Sequence, residues 1–237
     1  MEVDDALCIV SELCHGGSLL DYLTIKGRIT EEAVVKALVR QLAEAVLYLH
    51  SEANIVHRDL KLENVMILED WKSMGSGSLD KLGNEFVPTL KICDFGLSDF
   101  IHGDIAEEDE DEDEDAFDKV LPSSPACSST ASFGVGSLHY CSPEDLRGTV
   151  TSANGESSDV WALGCIIYAL VTGGLPFNDG FLPRLQQSIM QGGYDAERLE
   201  RCGCSDEVKS LIKGIFEVDV GKRVSLKELL NGPWLRE

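Results

Sequence analysis

The sequence predicts a mainly helical α+β fold with a few short strands, and three observations predict it. Val35, Leu38, Leu42, Val46 and Leu49 recur at the spacing of one buried helical stripe. Ser158 through Val171 is an apolar stretch of helical length closed by Thr172-Gly173-Gly174. Val65–Leu68 and Leu90–Cys93 are short runs of strand length that suit a hairpin.

Taken in order, Leu7 to Leu13 is aliphatic and fits a buried strand that ends at His15-Gly16-Gly17. Ser18 opens a helix, with Asp21 at the third position as the acid of a capping box. The longer helix carrying the stripe starts at Thr30, where Glu31 and Glu32 meet the positive end of its dipole. Between the two hairpin strands, Trp71 to Thr89 contains Met74-Gly75-Ser76-Gly77-Ser78, too polar and glycine-rich to repay ordering, so this insert is expected to be flexible. Beyond the apolar helix, further helices are expected near Pro183–Met190, over Ser205–Phe216 and from Ser225, whose Ser225-x-x-Glu228 spacing is a second capping box.

Composition narrows the function. The net charge is −22, with 42 Asp and Glu against 20 Lys and Arg, which excludes the electrostatic footprint of a nucleic-acid binder and favours basic protein partners. Glu107 to Asp115 is an unbroken acidic run whose like charges repel, so a solvated insert is expected there. No apolar run reaches the roughly 18 residues of a membrane span, and Met1-Glu2-Val3-Asp4-Asp5 lacks the basic start of a secretory signal, so a cytoplasmic or nuclear location is expected and no membrane. The eight cysteines include no Cys-x-x-Cys and read as free thiols. Cys202-Gly203-Cys204 could be half a metal site, but packing is favoured in the absence of neighbouring ligands.

Chemistry concentrates in His57-Arg58-Asp59-Leu60-Lys61-Leu62-Glu63-Asn64, in Asp94-Phe95-Gly96 and in Ser142-Pro143-Glu144. A lone Asp or Asn is more often a turn residue or cap. The joint order is far more specific, and from about Leu7 to Trp234 the chain resembles a eukaryotic serine/threonine protein kinase. The pattern around Ile55–Asn64, with Gly136-Ser137 and Pro233-Trp234, is most similar to the calmodulin-dependent and AMP-activated group.

The resemblance implies ATP-dependent phosphorylation of protein serine and threonine, with ATP and Mg²⁺ as cofactors. It implies that Asp59 accepts the substrate hydroxyl proton, that Lys61 contacts the transferring phosphate and that Asn64 and Asp94 bind the metal. Glu12 and Cys14 would offer hinge backbone groups to adenine, Ser11 would be a small gatekeeper and Met66 the floor beneath the base. Asp159 would hold the backbone of the His57–Asp59 turn, and Arg223 would pair with Glu144 in an architectural role. Lys61 and Ser137 select serine/threonine over tyrosine chemistry, and Glu63 would attract a basic residue of the substrate, although Ser18 stands where basophilic relatives often carry another acid.

By the same resemblance, residues 1–17 read as the last N-lobe strand and hinge and 18–237 as the C-lobe, with inserts at 71–89 and within the 94–144 activation segment. That segment far exceeds the roughly 12 to 15 residues usual for an unstructured loop. Arg58 implies activation by an upstream kinase, with Ser124, Ser128, Ser129, Thr130 and Ser132 as candidate phosphosites. The 237 residues hold no glycine-rich phosphate loop and no Val-Ala-Ile-Lys strand, so an absent N-lobe and weak ATP binding by this chain alone are expected. The alternative is a non-catalytic, kinase-like binding or scaffold fragment.

Overall fold

The computed structural model describes residues 2–3, 6–7, 9–73, 87–101, 137–151 and 154–236. Two short strands, β1 (Glu2–Val3) and β2 (Ala6–Leu7), pair antiparallel ahead of everything else. The expected buried strand over Leu7–Leu13 does not form. Ile9, Val10 and Leu13 are exposed, because none of the described residues supplies a neighbouring strand or an apolar cover for them.

β3 (Gly17–Ser18) leads into α1 (Leu19–Lys26) through a complete capping box, in which the Ser18 hydroxyl accepts from the Asp21 amide while the Asp21 carboxylate accepts from the Ser18 amide. α2 (Glu32–Ser51) starts two residues after the expected Thr30, with Glu31 at its N-cap and no side-chain cap bond. Its buried face carries Val35, Leu38, Leu42 and Val46, widened by Val34, Val39, Ala43 and His50. β4 (Ile55–Val56) precedes the His57–Asn64 motif, and a 3₁₀ turn over Leu62–Asn64 feeds β5 (Val65–Ile67). β6 (Leu90–Ile92) returns antiparallel with Val65 opposite Ile92, and β3 completes that sheet on the other side of β5. β7 (Asp99–Phe100) pairs with β4, so the stretches carrying His57 and Asp94 are tied twice.

The insert expected to be flexible from Trp71 begins instead with a fully buried side chain. The Trp71 indole donates to the Gly16 carbonyl at 2.9 Å and packs edge-on against Tyr22. At its far end, the Thr89 amide and hydroxyl both donate to Glu69 at 2.8 Å. Met74-Gly75-Ser76-Gly77-Ser78 itself lies outside the described residues, as do the acidic run and all five candidate phosphosites.

A 3₁₀ turn over Ser137–Tyr140 precedes α3 (Pro143–Arg147). The central element is α4 (Gly155–Thr172), buried almost throughout and ended by Gly173 in the left-handed region. It begins three residues earlier than the apolar pattern predicts, at Gly155, which seats against Val56 where a larger residue would crowd it. α2 and α7 (Asp206–Ile215) pack on α4, with α5 (Leu182–Met190), α6 (Ala196–Arg201), α8 (Leu226–Asn231) and α9 (Pro233–Arg236) arranged around them. Gly164 makes the α4–α7 approach possible, since a Cβ there would meet Ile215 Cγ2. Among the described residues no helix is long and apolar enough to cross a membrane, and six cysteines are free thiols.

Candidate active site

The turn carrying the motif is fixed from beneath by one buried acid. Asp159, on the first turns of α4, accepts the His57 amide on Oδ2 and the Arg58 amide on Oδ1, each at 2.8 Å. Its Oδ2 also meets His50 Nε2 at 2.8 Å, from the last turn of α2. Two helices are thereby anchored to the turn, and Arg58 is held at a φ of 67°, a conformation non-glycine residues seldom adopt without support. His57 is fully buried, its Nε2 lying 3.1 Å from the Cys93 carbonyl, so the ring joins the motif to the strand that ends at Asp94.

Above the turn, three side chains converge on Asp59. Its Oδ2 accepts from Lys61 Nζ at 2.5 Å and from Asn64 Nδ2 at 3.0 Å, while Oδ1 accepts from the Ser137 hydroxyl at 3.1 Å. Lys61 Nζ also reaches the Ser137 hydroxyl at 3.2 Å, and Asn64 Nδ2 donates to the Asp59 carbonyl at 2.9 Å. The carboxylate therefore has one oxygen against a hydroxyl and the other against a cation and an amide, with Asp59 and Lys61 both retaining some exposure.

Asp94 follows β6 directly. The Cys93 amide donates to the Asn64 carbonyl at 2.9 Å, which keeps Asp94 beside the Asn64 turn, and Asp94 Oδ1 accepts the Gly96 amide at 3.3 Å. Asp94 has a φ of 64°, a second left-handed non-glycine residue in the same place. Asn64 and Asp94 are hard oxygen donors of the kind Mg²⁺ accepts. Two protein ligands match an ion that keeps waters and shares substrate phosphates, and among the described residues no larger cluster of His, Cys, Asp and Glu competes for a metal.

The residues assigned to adenine lie along one edge. Glu12 and Ser11 are exposed, Cys14 and Met66 are half-buried, and the His15 and Gly16 amides donate to Leu68 and Ile67 on the neighbouring strand. Glu12 pairs with Lys91 at 3.0 Å on the surface. Burial first, then the Glu12 charge, pushes the Cys14 thiol up.

Glu144 and Arg223 meet away from this edge in a two-pronged pair at 2.5 and 2.9 Å, both almost fully buried. The guanidinium is fully employed, since it also donates to the Ser157 and Glu217 carbonyls and lies 4.9 Å over the Trp161 ring. Arg58 is not left facing an empty anion site: its guanidinium pairs with Asp99 at 3.1 Å near the surface.

Several contributors escaped the sequence reading. His50, in the last turn of α2, gave no signal in the sequence. Tyr140 accepts from the Leu62 amide at 3.4 Å and donates to Glu63 at 3.5 Å, and burial reinforced by the Glu63 charge pushes its hydroxyl well up. α3 did leave a signal, namely Ser142-x-x-Asp145 with Pro143 at the first helical position and Gly148 just past the end. Ser142 is a cap: its hydroxyl accepts from the Asp145 amide at 3.1 Å. Burial pushes the Asp145 carboxyl up, against hydrogen bonds from Ser142 and Ser158 that favour the ion.

Comparison with known proteins bears on the family and the fold. The family model described as protein kinase domain matches residues 1–235. The serine/threonine-protein kinase cds1 of Schizosaccharomyces pombe is 31% identical over 98% of the chain and 42% of its own length. A calcium/calmodulin-dependent serine/threonine-protein kinase of Malus domestica is 36% identical over 99% and 46%. The crystal structure of the Rad53 kinase domain and SCD2 in complex with AMPPNP superposes with a TM-score of 0.67 at 25% identity, covering 95% of this chain and 67% of that one. The chain spans less than half the length of these two curated relatives. It belongs to the protein kinase domain family, among the serine/threonine kinases of the calmodulin-dependent group.

Proposed function

We propose that this chain carries the phosphotransfer machinery of an ATP-dependent protein serine/threonine kinase. The observation that supports it most is the convergence of Lys61, Asn64 and Ser137 on Asp59. A substrate hydroxyl entering beside Ser137 would donate its hydrogen bond to Asp59 Oδ1, and the carboxylate would take the proton as that oxygen bonds to the γ-phosphorus of ATP and the bond to the bridging oxygen breaks to release ADP. Lys61, already balanced against Asp59, offsets charge on the transferred group. Asp159 acts through the backbone, holding the turn so that Asp59 needs no rearrangement.

Asn64 and Asp94 are the residues that would hold Mg²⁺, which supplies charge neutralisation at the phosphates. Glu12 and Cys14 would meet adenine through their backbone, with Ser11 as gatekeeper and Met66 beneath the base. That the Rad53 kinase domain structure is a complex with AMPPNP supports a nucleotide as ligand. Glu63, partly buried beside a groove lined by Leu20, Leu23, Leu62 and Leu175, would favour substrates with a basic residue near the acceptor. Arg58 would exchange Asp99 for a phosphate placed by an upstream kinase.

The test is a phosphotransfer assay on a basic peptide, with the chain placed behind the glycine-loop lobe of a relative. Asp59→Asn should abolish transfer while nucleotide binding persists, and Asp94→Asn should weaken Mg²⁺-dependent binding as well. Transfer that survives Asp59→Asn would overturn the role given to Asp59, and absence of transfer from the unsubstituted chain would return it to the class of non-catalytic binding fragments.

A further inference from the structure

We propose that Cys202 and Cys204 form a reversible dithiol site, oxidised to an intrachain disulfide by small disulfides of the glutathione class. The pair lies outside the phosphotransfer site, in the connector between α6 and α7. Cys202 closes α6 and its Sγ donates to the Leu199 carbonyl at 2.9 Å, while Cys204 Sγ donates to the same oxygen at 3.7 Å. Two sulfurs aimed at one acceptor are already brought together by the fold, so the second step of disulfide formation is intramolecular and local.

Gly203 makes the turn between them. Its φ of 71° lies in the left-handed region, and a Cβ at that position would meet nothing within 4 Å, so the connector can tighten without displacing a neighbour. Both thiols are half-buried at the edge of the core, whereas Cys141 and Cys165 are buried within it. Nearby charges are Glu32 and Lys209, which act on Cys204 in opposite directions, and Arg28, whose guanidinium donates to the Cys202 carbonyl at 2.6 Å. Burial, followed by the Cys202 thiol beside it, holds Cys204 up to about 12. Cys204 therefore stays protonated near neutral pH, and exchange should quicken as the solution becomes more alkaline, because the thiolate is the attacking species.

In the first step one protein sulfur attacks oxidised glutathione, forming a protein–glutathione mixed disulfide and expelling one glutathione thiolate. The second sulfur then attacks the mixed disulfide, closing Cys202 to Cys204 and expelling the other. The protein loses two electrons and two protons, and the oxidised glutathione becomes two reduced molecules. Closure replaces the two sulfur-to-carbonyl hydrogen bonds that finish α6.

The experiment treats the chain with oxidised glutathione, alkylates remaining thiols and weighs the tryptic fragment 202–209, which holds both cysteines. The expected product is that fragment lighter by two hydrogens, restored by dithiothreitol and formed several-fold more from folded than from guanidinium-unfolded protein. Cys202→Ser and Cys204→Ser should each stop at the mixed disulfide. A fragment from folded protein that keeps two free thiols, or carries two glutathiones, or links no better than the unfolded chain, overturns the proposal.

Discussion

Two acids, Asp159 and Asp59, grip the same turn from opposite sides and are used in opposite ways. Asp159 is 1% exposed and accepts from two backbone amides and one imidazole, none of which can leave without unfolding something. Asp59 accepts only from side chains, on a carboxylate with 10% of its side chain exposed, and each of those donors can be exchanged for substrate or solvent. The contrast teaches that identical chemistry becomes architecture or machinery according to whether its partners are backbone or mobile side chains. A substitution series can break that division or sharpen it.

The largest effect should come from Asp159→Ala. It strands two amides and a histidine in the interior, at about 1–3 kcal/mol for each unsatisfied group, so urea unfolding should show a loss of several kcal/mol together with a loss of activity. Asp59→Asn should do the reverse, reducing kcat by about 10²–10⁴ while the unfolding midpoint hardly moves. If both variants lose stability equally, Asp59 is architectural too and the comparison fails.

A smaller effect is expected at the α2–α7 corner. Glu32 accepts from the Ser205 amide at 2.9 Å, the Ser205 hydroxyl at 2.6 Å and the Trp234 indole at 2.6 Å. Burial works to raise its pKa, yet these hydrogen bonds outweigh it and hold the carboxyl below its ordinary value. A depressed folded-state pKa gives stability that is present above the unfolded pKa and lost as pH falls through the folded one. Glu32→Gln should therefore flatten the acid limb of the stability profile, and Ser205→Ala, which also removes the α7 cap, should cost about 1 kcal/mol near neutral pH. Asp145 carries the opposite sign: its raised pKa should make mild acid stabilising at that site, and Asp145→Asn should remove that gain. The smallest effect belongs to Arg58 and Asp99. Near the surface, with side chains 31% and 53% exposed, Asp99→Ala should alter stability by less than about 1 kcal/mol.

Much of this was legible where a residue's partner is near in sequence. Ser18 with Asp21 and Ser225 with Glu228 are capping boxes that read directly, and the α2 stripe gave its buried face from spacing alone. What escaped depends on partners far along the chain. His50 reaches Asp159 across 109 residues, and Gly155, where α4 begins, seats against Val56. Trp71 looked like the start of a polar link, but its neighbours are Tyr22 and the Gly16 carbonyl, about 50 residues earlier. Ile9, Val10 and Leu13 erred in the other direction, since apolar character states what a side chain would bury and not whether a cover is in place. Within the site, the order of His57, Asp59, Asn64 and Asp94 picked out residues that the fold brings together, while Asp99 and Tyr140, which set the surroundings of Arg58 and Glu63, belonged to no quoted motif role.

The three tryptophans turn this layout into an optical map. Trp71 sits under Lys26 and Lys72 at 5.9 and 5.4 Å, Trp161 lies parallel to Phe177 beneath the Arg223 guanidinium, and Trp234 donates to the Glu32 carboxylate. Each indole feels a different local field, and Trp161 Nε1 has no hydrogen-bond partner among the described residues, so the three should emit at separable wavelengths. Variants retaining one tryptophan at a time would let fluorescence follow the β3–α1 region, the central helix and the C-terminal corner as separate signals during unfolding.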